Sequence, residues 1–228
     1  MLTALSISAK TDAKKLSLEN FEDYENRDML TAKQQAMLQG TTIGLLGGSF
    51  NPPHAGHVHI THQALQTFGL HKVWWLLSPG NPLKLKSPVS ADIRLFECRR
   101  IMKNPKVSVL DIEYKFNTYF TAQTLRKLFD YYPGVRFVWL MGADNLVNFH
   151  KWEQWTWIME NIPVGVMARP GEQVRAGLSQ TAKRYQKFRV KPSDAAAIPF
   201  MTAPAWSLLG GPMQDLSSSE IRSNGRRK

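Results

Sequence analysis

The chain has 228 residues, 43% of them hydrophobic, and 29 Lys and Arg against 18 Asp and Glu give a formal net charge of +11. This length suits one α/β domain with small appendages, and the Trp and Phe spread along it support a real core. No apolar run approaches the roughly 18 residues of a membrane span, the first fifteen residues are too polar for a signal peptide, and the single cysteine, Cys98, excludes an intramolecular disulfide and fits a reducing cytoplasm.

Residues 1–40 are polar and charged, with a weak helical pattern over 29–38 and no strand signal. They are expected to form an N-terminal extension, partly disordered or helical, ahead of a catalytic domain over 41–228. Residues 42–46 form a short apolar run ended by two glycines, the pattern of a buried parallel strand. A helix follows over 57–68, with Ile60, Ala64, Leu65 and Phe68 at helical spacing and Gly69 as its stop. KVWWLL at 72–77 reads as a second strand, and a loop rich in Pro, Gly and Lys runs from it to Pro88. Ser90 is placed to cap a helix to about 103 with Leu95, Cys98 and Met102 on one side, Cys98 as a small core residue. A third strand is expected over 107–112, then a helix over 121–132 with Leu125, Leu128, Phe129 and Tyr132 at i, i+3, i+4 and i+7. Pro133 and Gly134 break it, and VRFVWLM at 135–141 is the plainest strand of all.

A Trp-rich helical stretch and a strand over 163–168 come next. Residues 170–195 are basic and low in pattern, read as a helical insertion or a mobile loop; 198–202 and 206–209 are strand candidates, and a last helix starts over 217–222. Strand and helix in this alternation imply a Rossmann-like, mostly parallel sheet with helices on both faces.

The positive charge attracts polyanions, whether nucleic acid, a membrane surface or phosphorylated metabolites. Its excess sits in 169–191 and 222–228, without the interleaved basic and aromatic residues of an RNA-reading sheet. A basic nucleic-acid-binding protein would bind oligonucleotides with steep salt dependence, but this reading leaves the ordered motifs unexplained. A solvated basic surface near an anionic substrate is simpler, with no nucleic-acid or membrane partner.

The segment GGSFNPPHAGH at 47–57 carries the chemistry. It lacks the Lys and Ser/Thr of a Walker A loop and does not match G-x-G-x-x-G. It still sits between the first strand and the first helix, where glycines let backbone N–H groups approach a phosphate and a helix N-terminus favours an anion. His54 and His57 put two imidazoles at that helix start, each able to donate to phosphate oxygens. Metal binding by His54, His57, His59 and His62 is the alternative. With no Cys nearby and the acidic residues distant, no metal site is expected, and His59 and His62 read as surface or packing residues.

GGSFNPPHAGH closely resembles the G-x-[ST]-F-[DN]-P-x-H-x-G-H signature of the nucleotidyltransferase superfamily. The resemblance extends over 42–222 to the bacterial nicotinate-nucleotide adenylyltransferases. SPGNPLK at 78–84 looks like their substrate loop, FTAQTL at 120–125 is similar to YTxxTL, and 139–152 to their GxDxL…W block. Residues 169–171 match RPG, and LSSSEIR at 216–222 is similar to ISSTxIR.

The resemblance implies adenylyl transfer from ATP to nicotinate mononucleotide, giving deamido-NAD and pyrophosphate in NAD synthesis, with Mg2+ carried on the ATP phosphates. ATP would lie over Gly48, Ser49 and Phe50 with His54 and His57 on its phosphates, and Ser218, Ser219 and Arg222 would hold the β and γ groups; the serines also suit an ordinary N-cap. Lys84 would neutralise phosphate charge, Asp144 would hold sugar hydroxyls or cap a helix, and Thr121 would help bind the nicotinate carboxylate. Trp152 would stack on the nicotinate ring, Arg169 would lie near that pocket, and Trp155 and Trp157, without counterparts, read as packing residues. Asn51 stands where many relatives have Asp, Phe120 replaces the usual Tyr, and the chain ends soon after Arg222. An adenylyltransferase acting on nicotinamide mononucleotide, phosphopantetheine or another phosphate acceptor is the near alternative; FTAQTL and Trp152 argue against phosphopantetheine, whereas side chains alone do not separate the acid from the amide. Residues 1–36 are expected to be dispensable for chemistry, because every motif lies beyond them.

Overall fold

The computed structural model describes residues 35–79, 89–168 and 171–210. The chain divides into two compact units, Met1–Met37 and Leu38–Lys228, and the sheet belongs to the second. It has six strands, β1 (Thr42–Gly48), β2 (Lys72–Leu77), β3 (Val107–Leu110), β4 (Arg136–Gly142), β5 (Val164–Ala168) and β6 (Trp206–Gly210). All neighbours pair in parallel, in the order β3-β2-β1-β4-β5-β6. The chain steps outward from β1 to β3, returns to β4 and steps outward the other way. The strand order therefore reverses between β1 and β4, and open sheets of this kind bind their ligands beyond the carboxyl ends at such a reversal.

The helices between the strands are α1 (Ala55–Thr67), α2 (Ala91–Ile101), the short α3 (Ile112–Phe116), α4 (Thr121–Tyr131), α5 (Ala143–Asn148) and α6 (Trp155–Asn161). Beyond β5 come α7 (Glu172–Gly177) and α8 (Gln180–Arg184), so two short helices stand within the basic 170–195 segment. β2 shows why the strand sequences are continuously apolar: both of its faces are covered. Trp74 meets Tyr132, just beyond α4, at 5.1 Å, whereas the neighbouring Trp75 bonds through its indole N–H to Thr61 of α1 at 2.8 Å. Truncating either ring to alanine would cost about 3–5 kcal/mol. α4 buries Leu125 and Leu128 as its spacing predicts, with Ala122 and Thr124 beside them and Phe129 partly buried, and Gly134, at φ 80, makes the left-handed turn into β4.

Two expected strands differ from the structure. Residues 198–202 are not a strand: Ile198, Pro199 and Phe200 close a 3-10 helix, Pro192–Phe200, that buries Ala195, Ile198 and Pro199. Pro199 has no N–H to give a sheet ladder, so Ile198 packs from a helical turn instead, while Phe200 and Met201 stay exposed. The third strand stops at Leu110, because the chain turns at Asp111 into α3, which ends on Asn117 in the left-handed region. Ser90 stands at the N-cap of α2 without a side-chain capping bond. Cys98 is fully buried on that helix, and burial pushes its thiol up to about 12. Among the described residues no helix is long and apolar enough to cross a membrane.

Candidate active site

β1 delivers the glycines to the carboxyl edge of the sheet. At Gly47 a Cβ would stand 2.5 Å from the Trp139 ring, so β4 admits only hydrogen there. Phe50 then turns the chain with φ 45, a region a bulky residue rarely adopts. Its ring compensates. It is 1% exposed and lies parallel to Trp75, centroids 4.8 Å apart and planes within 7°. The backbone of Gly48, Ser49 and Phe50 is thereby held over the end of β1.

His54 and His57 are joined by the start of α1. His54 is its N-cap: its Nδ1 accepts from the Gly56 N–H at 3.1 Å, and the His57 Nδ1 accepts from the His54 N–H at 3.2 Å. This is a capping box built from two imidazoles in place of the usual hydroxyl and carboxyl. With both Nδ1 lone pairs engaged, the neutral ring of each carries its proton on Nε2, which makes Nε2–H a donor suited to an anion. The rings lie 3.9 Å apart, and His57 leans on Phe50 at 4.8 Å. Thr61 holds the next turn, donating to the His57 carbonyl at 2.8 Å while accepting from Trp75. His59 is half-buried and His62 exposed on the same helix. Among the described residues no group of three His, Cys, Asp or Glu could hold a metal.

The other expected residues reach the same edge from β4 and α4. Asp144 stands exposed in the first turn of α5, whose cap is Gly142, not Asp144. A Cβ on Gly142 would lie 2.4 Å from an Asp144 carboxylate oxygen, so that glycine makes room for the carboxylate. Trp152 follows the 3-10 turn Phe149–Lys151, half-buried, tilted on Phe149 at 4.9 Å and edge-on to Trp139 at 6.3 Å. Trp139 thus packs close to both the turn glycine and Trp152. Thr121 is the first residue of α4, half-buried, with Phe120 at its cap 38% exposed. Trp155 packs against Tyr185 and Trp157 against Phe129, with the Arg126 guanidinium 3.9 Å over the Trp157 ring. Lys84, Arg169, Ser218, Ser219 and Arg222 lie outside the described residues.

Sequence reasoning passes over Arg94. It is 2% exposed, and four of the five guanidinium N–H donors are used on loops at the carboxyl edge. Nε–H donates to the Val89 carbonyl, one Nη donates to both the Ser49 and the Ser78 carbonyls, all at 2.8 Å, and the other Nη reaches the Tyr114 hydroxyl at 3.0 Å. Tyr114 passes its own proton to the Pro79 carbonyl at 3.3 Å. Nearby on α3, Glu113 is buried, and desolvation pushes its carboxyl up to about 7.

Comparison with known proteins places this arrangement. The cytidylyltransferase-like family model matches residues 45–224. A protein of Cereibacter sphaeroides named "Probable nicotinate-nucleotide adenylyltransferase" is 56% identical over 184 residues, 81% of this chain and 97% of that one. One of the same name from a Ruegeria species is 52% identical, again over 81% and 97%. The Plasmodium falciparum nicotinic acid mononucleotide adenylyltransferase complexed with NaAD shares the fold at 17% identity, with a TM-score of 0.63 over 80% of this chain and 83% of that chain. The family-model match and this degree of identity make the chain a member of the nicotinate-nucleotide adenylyltransferase family, within the cytidylyltransferase-like nucleotidyltransferases.

Proposed function

We infer that the chain transfers the adenylyl group of ATP to nicotinate mononucleotide, releasing pyrophosphate and forming nicotinate adenine dinucleotide for NAD synthesis. The carrying observation is the reciprocal cap of α1, which fixes two imidazoles at the positive end of a helix above the strand-order reversal. An oxygen of the acceptor phosphate attacks the α-phosphorus in line. As that O–P bond forms, the bond from the α-phosphorus to the bridging oxygen breaks, and pyrophosphate leaves with the electron pair. No enzyme nucleophile takes part. The protein contributes position and neutralisation of developing charge.

In this reading the N–H groups around Gly48, Ser49 and Phe50 and the Nε2–H of His54 and His57 hold the triphosphate. Ser218, Ser219 and Arg222 take its β and γ groups and Lys84 the acceptor phosphate, roles that rest on their motifs. Asp144 accepts from sugar hydroxyls, Thr121 and Arg169 serve the nicotinate carboxylate, and Trp152 stacks on the ring. ATP arrives as its Mg2+ complex, the ion held by the phosphates. The whole belongs to the cytoplasm, where reduced Cys98 and soluble substrates coexist. Residues 1–40 are an extension outside the chemistry, and removal of 1–36 leaves turnover intact.

The test is to assay the purified chain with ATP and, separately, nicotinate mononucleotide, nicotinamide mononucleotide and phosphopantetheine, following pyrophosphate. Nicotinate mononucleotide is expected to give the largest kcat/KM. Product from another acceptor and none from nicotinate mononucleotide would overturn the assignment.

A further inference from the structure

Arg94 has no place in the transfer described above, yet it is the most completely buried cation among the described residues. A guanidinium withdrawn from water requires compensation. Here it comes from three backbone carbonyls and a phenol, and among the described residues no carboxylate hydrogen-bonds to it. The carbonyls come from three separate segments: Ser49 from the turn after β1, Ser78 from the end of β2, and Val89 from the entry to α2. Ser78 opens the SPGNPLK motif, and Val89 lies five residues past its Lys84. One rigid fork therefore joins the nucleotide turn to both flanks of the acceptor motif.

The bond to Ser49 has a further effect. Its carbonyl and the Phe50 N–H belong to one planar trans peptide and point in opposite directions. Phe50 N–H has no hydrogen-bond partner among the described residues. A charged donor on the carbonyl polarises the unit and strengthens the N–H as a donor. It also opposes the strain of Phe50 at φ 45.

We propose that Arg94 is a positioning residue of the transfer: through Ser49 it orients and polarises the Phe50 N–H for the triphosphate, and through Ser78 and Val89 it ties the end of β2 and the entry to α2 to that turn. The proposal rests on the adenylyl-transfer reading. Lysine would supply charge and three donors but no planar fork, so it could not hold all three carbonyls in this geometry.

The test uses the full chain carrying Arg94→Lys, Arg94→Ala or Tyr114→Phe. Misplacement of reacting groups by about 1 Å can cost 10²-fold, so Arg94→Lys is expected to keep its near-ultraviolet circular dichroism while kcat falls about 10- to 100-fold. Tyr114→Phe, which leaves the three carbonyl bonds intact, is expected to lose no more than about threefold. Millimolar guanidinium is expected to restore kcat of Arg94→Ala at least about tenfold and leave the parent unchanged, a response that a purely structural lesion would not show. Folded Arg94→Lys with the parent's kcat and KM would overturn the proposal. So would folded Arg94→Ala that guanidinium does not rescue, or unfolding of both Arg94 variants, which would confine the residue to folding. If the parent itself makes no product from nicotinate mononucleotide, the acceptor reading is what fails. Arg94 is then judged on the dissociation constant of a non-hydrolysable ATP analogue, expected to weaken about tenfold in Arg94→Lys and unchanged if the proposal is wrong.

Discussion

Phe50 lies flat on Trp75, with the ring planes 7° apart, and this contact holds a bulky residue in the left-handed region at φ 45. Packing and backbone strain meet in one residue. Phe50→Ala is expected to destabilise the fold by about 3–5 kcal/mol in urea denaturation and to raise KM for ATP about tenfold as the turn relaxes. Trp75→Phe keeps a ring for Phe50 but removes the bond to Thr61, and should cost only about 1–2 kcal/mol. Equal losses from the two substitutions would show that stacking is not what holds the turn.

His54 and His57 form the cap of α1, and in the proposed reaction they also hold the phosphates; substitution separates these roles. Asparagine is a good N-cap, so His54→Asn should change stability by less than about 1 kcal/mol. His57→Ala loses one capping bond, again about 1 kcal/mol. Both should lower kcat about 10²- to 10³-fold, the size expected for removing a donor to developing charge. Thermal denaturation beside steady-state kinetics checks this. Rates that follow stability alone would reduce the histidines to a cap.

Trp152 rests edge-on against Trp139 and is only partly buried. Stacking on a nucleobase-like ring is worth about 1–3 kcal/mol. Trp152→Ala should therefore raise KM for nicotinate mononucleotide about 10- to 100-fold with KM for ATP within about twofold, and Trp152→Phe should recover most of the loss. A rise confined to ATP would place the indole on the wrong substrate.

Glu113 gives stability a pH dependence of known sign. Its carboxyl is raised from 4.5 to about 7 by burial, so the folded chain binds more protons than the unfolded one between those values. Its contribution is complete below pH 4.5, falls as pH rises to 7 and is constant above. The full difference is on the order of 3 kcal/mol. In urea titrations at pH 5 and pH 8 the parent should lose more stability than Glu113→Gln, by an amount approaching this value. Parallel losses would place the dependence elsewhere.

Much of this architecture is legible in the residues alone, for identifiable reasons. KVWWLL is buried on both faces, so its strand appears as one unbroken apolar run, and both ends coincide with β2. α4 shows its inward face at helical spacing. The apolar run over 198–202 misleads because only Ile198 and Pro199 in it are buried, and they are buried from a 3-10 turn; Pro199 is the contrary sign. α3 is five residues long, too short for a period to emerge. In the candidate site, the glycines and histidines are legible because they lie within eleven consecutive residues. Arg94 is not, because its acceptors are backbone carbonyls as far as 45 positions away, and any residue type can offer a carbonyl.

The buried thiol of Cys98 has a practical consequence. As the lone cysteine, holding its proton to about 12, it gives a maleimide no ready target at neutral pH. A single introduced cysteine, for instance at Val174, which is 71% exposed, would be the one site to take a fluorophore or spin label. Motion at that one position could then be followed during turnover without first building a cysteine-free background.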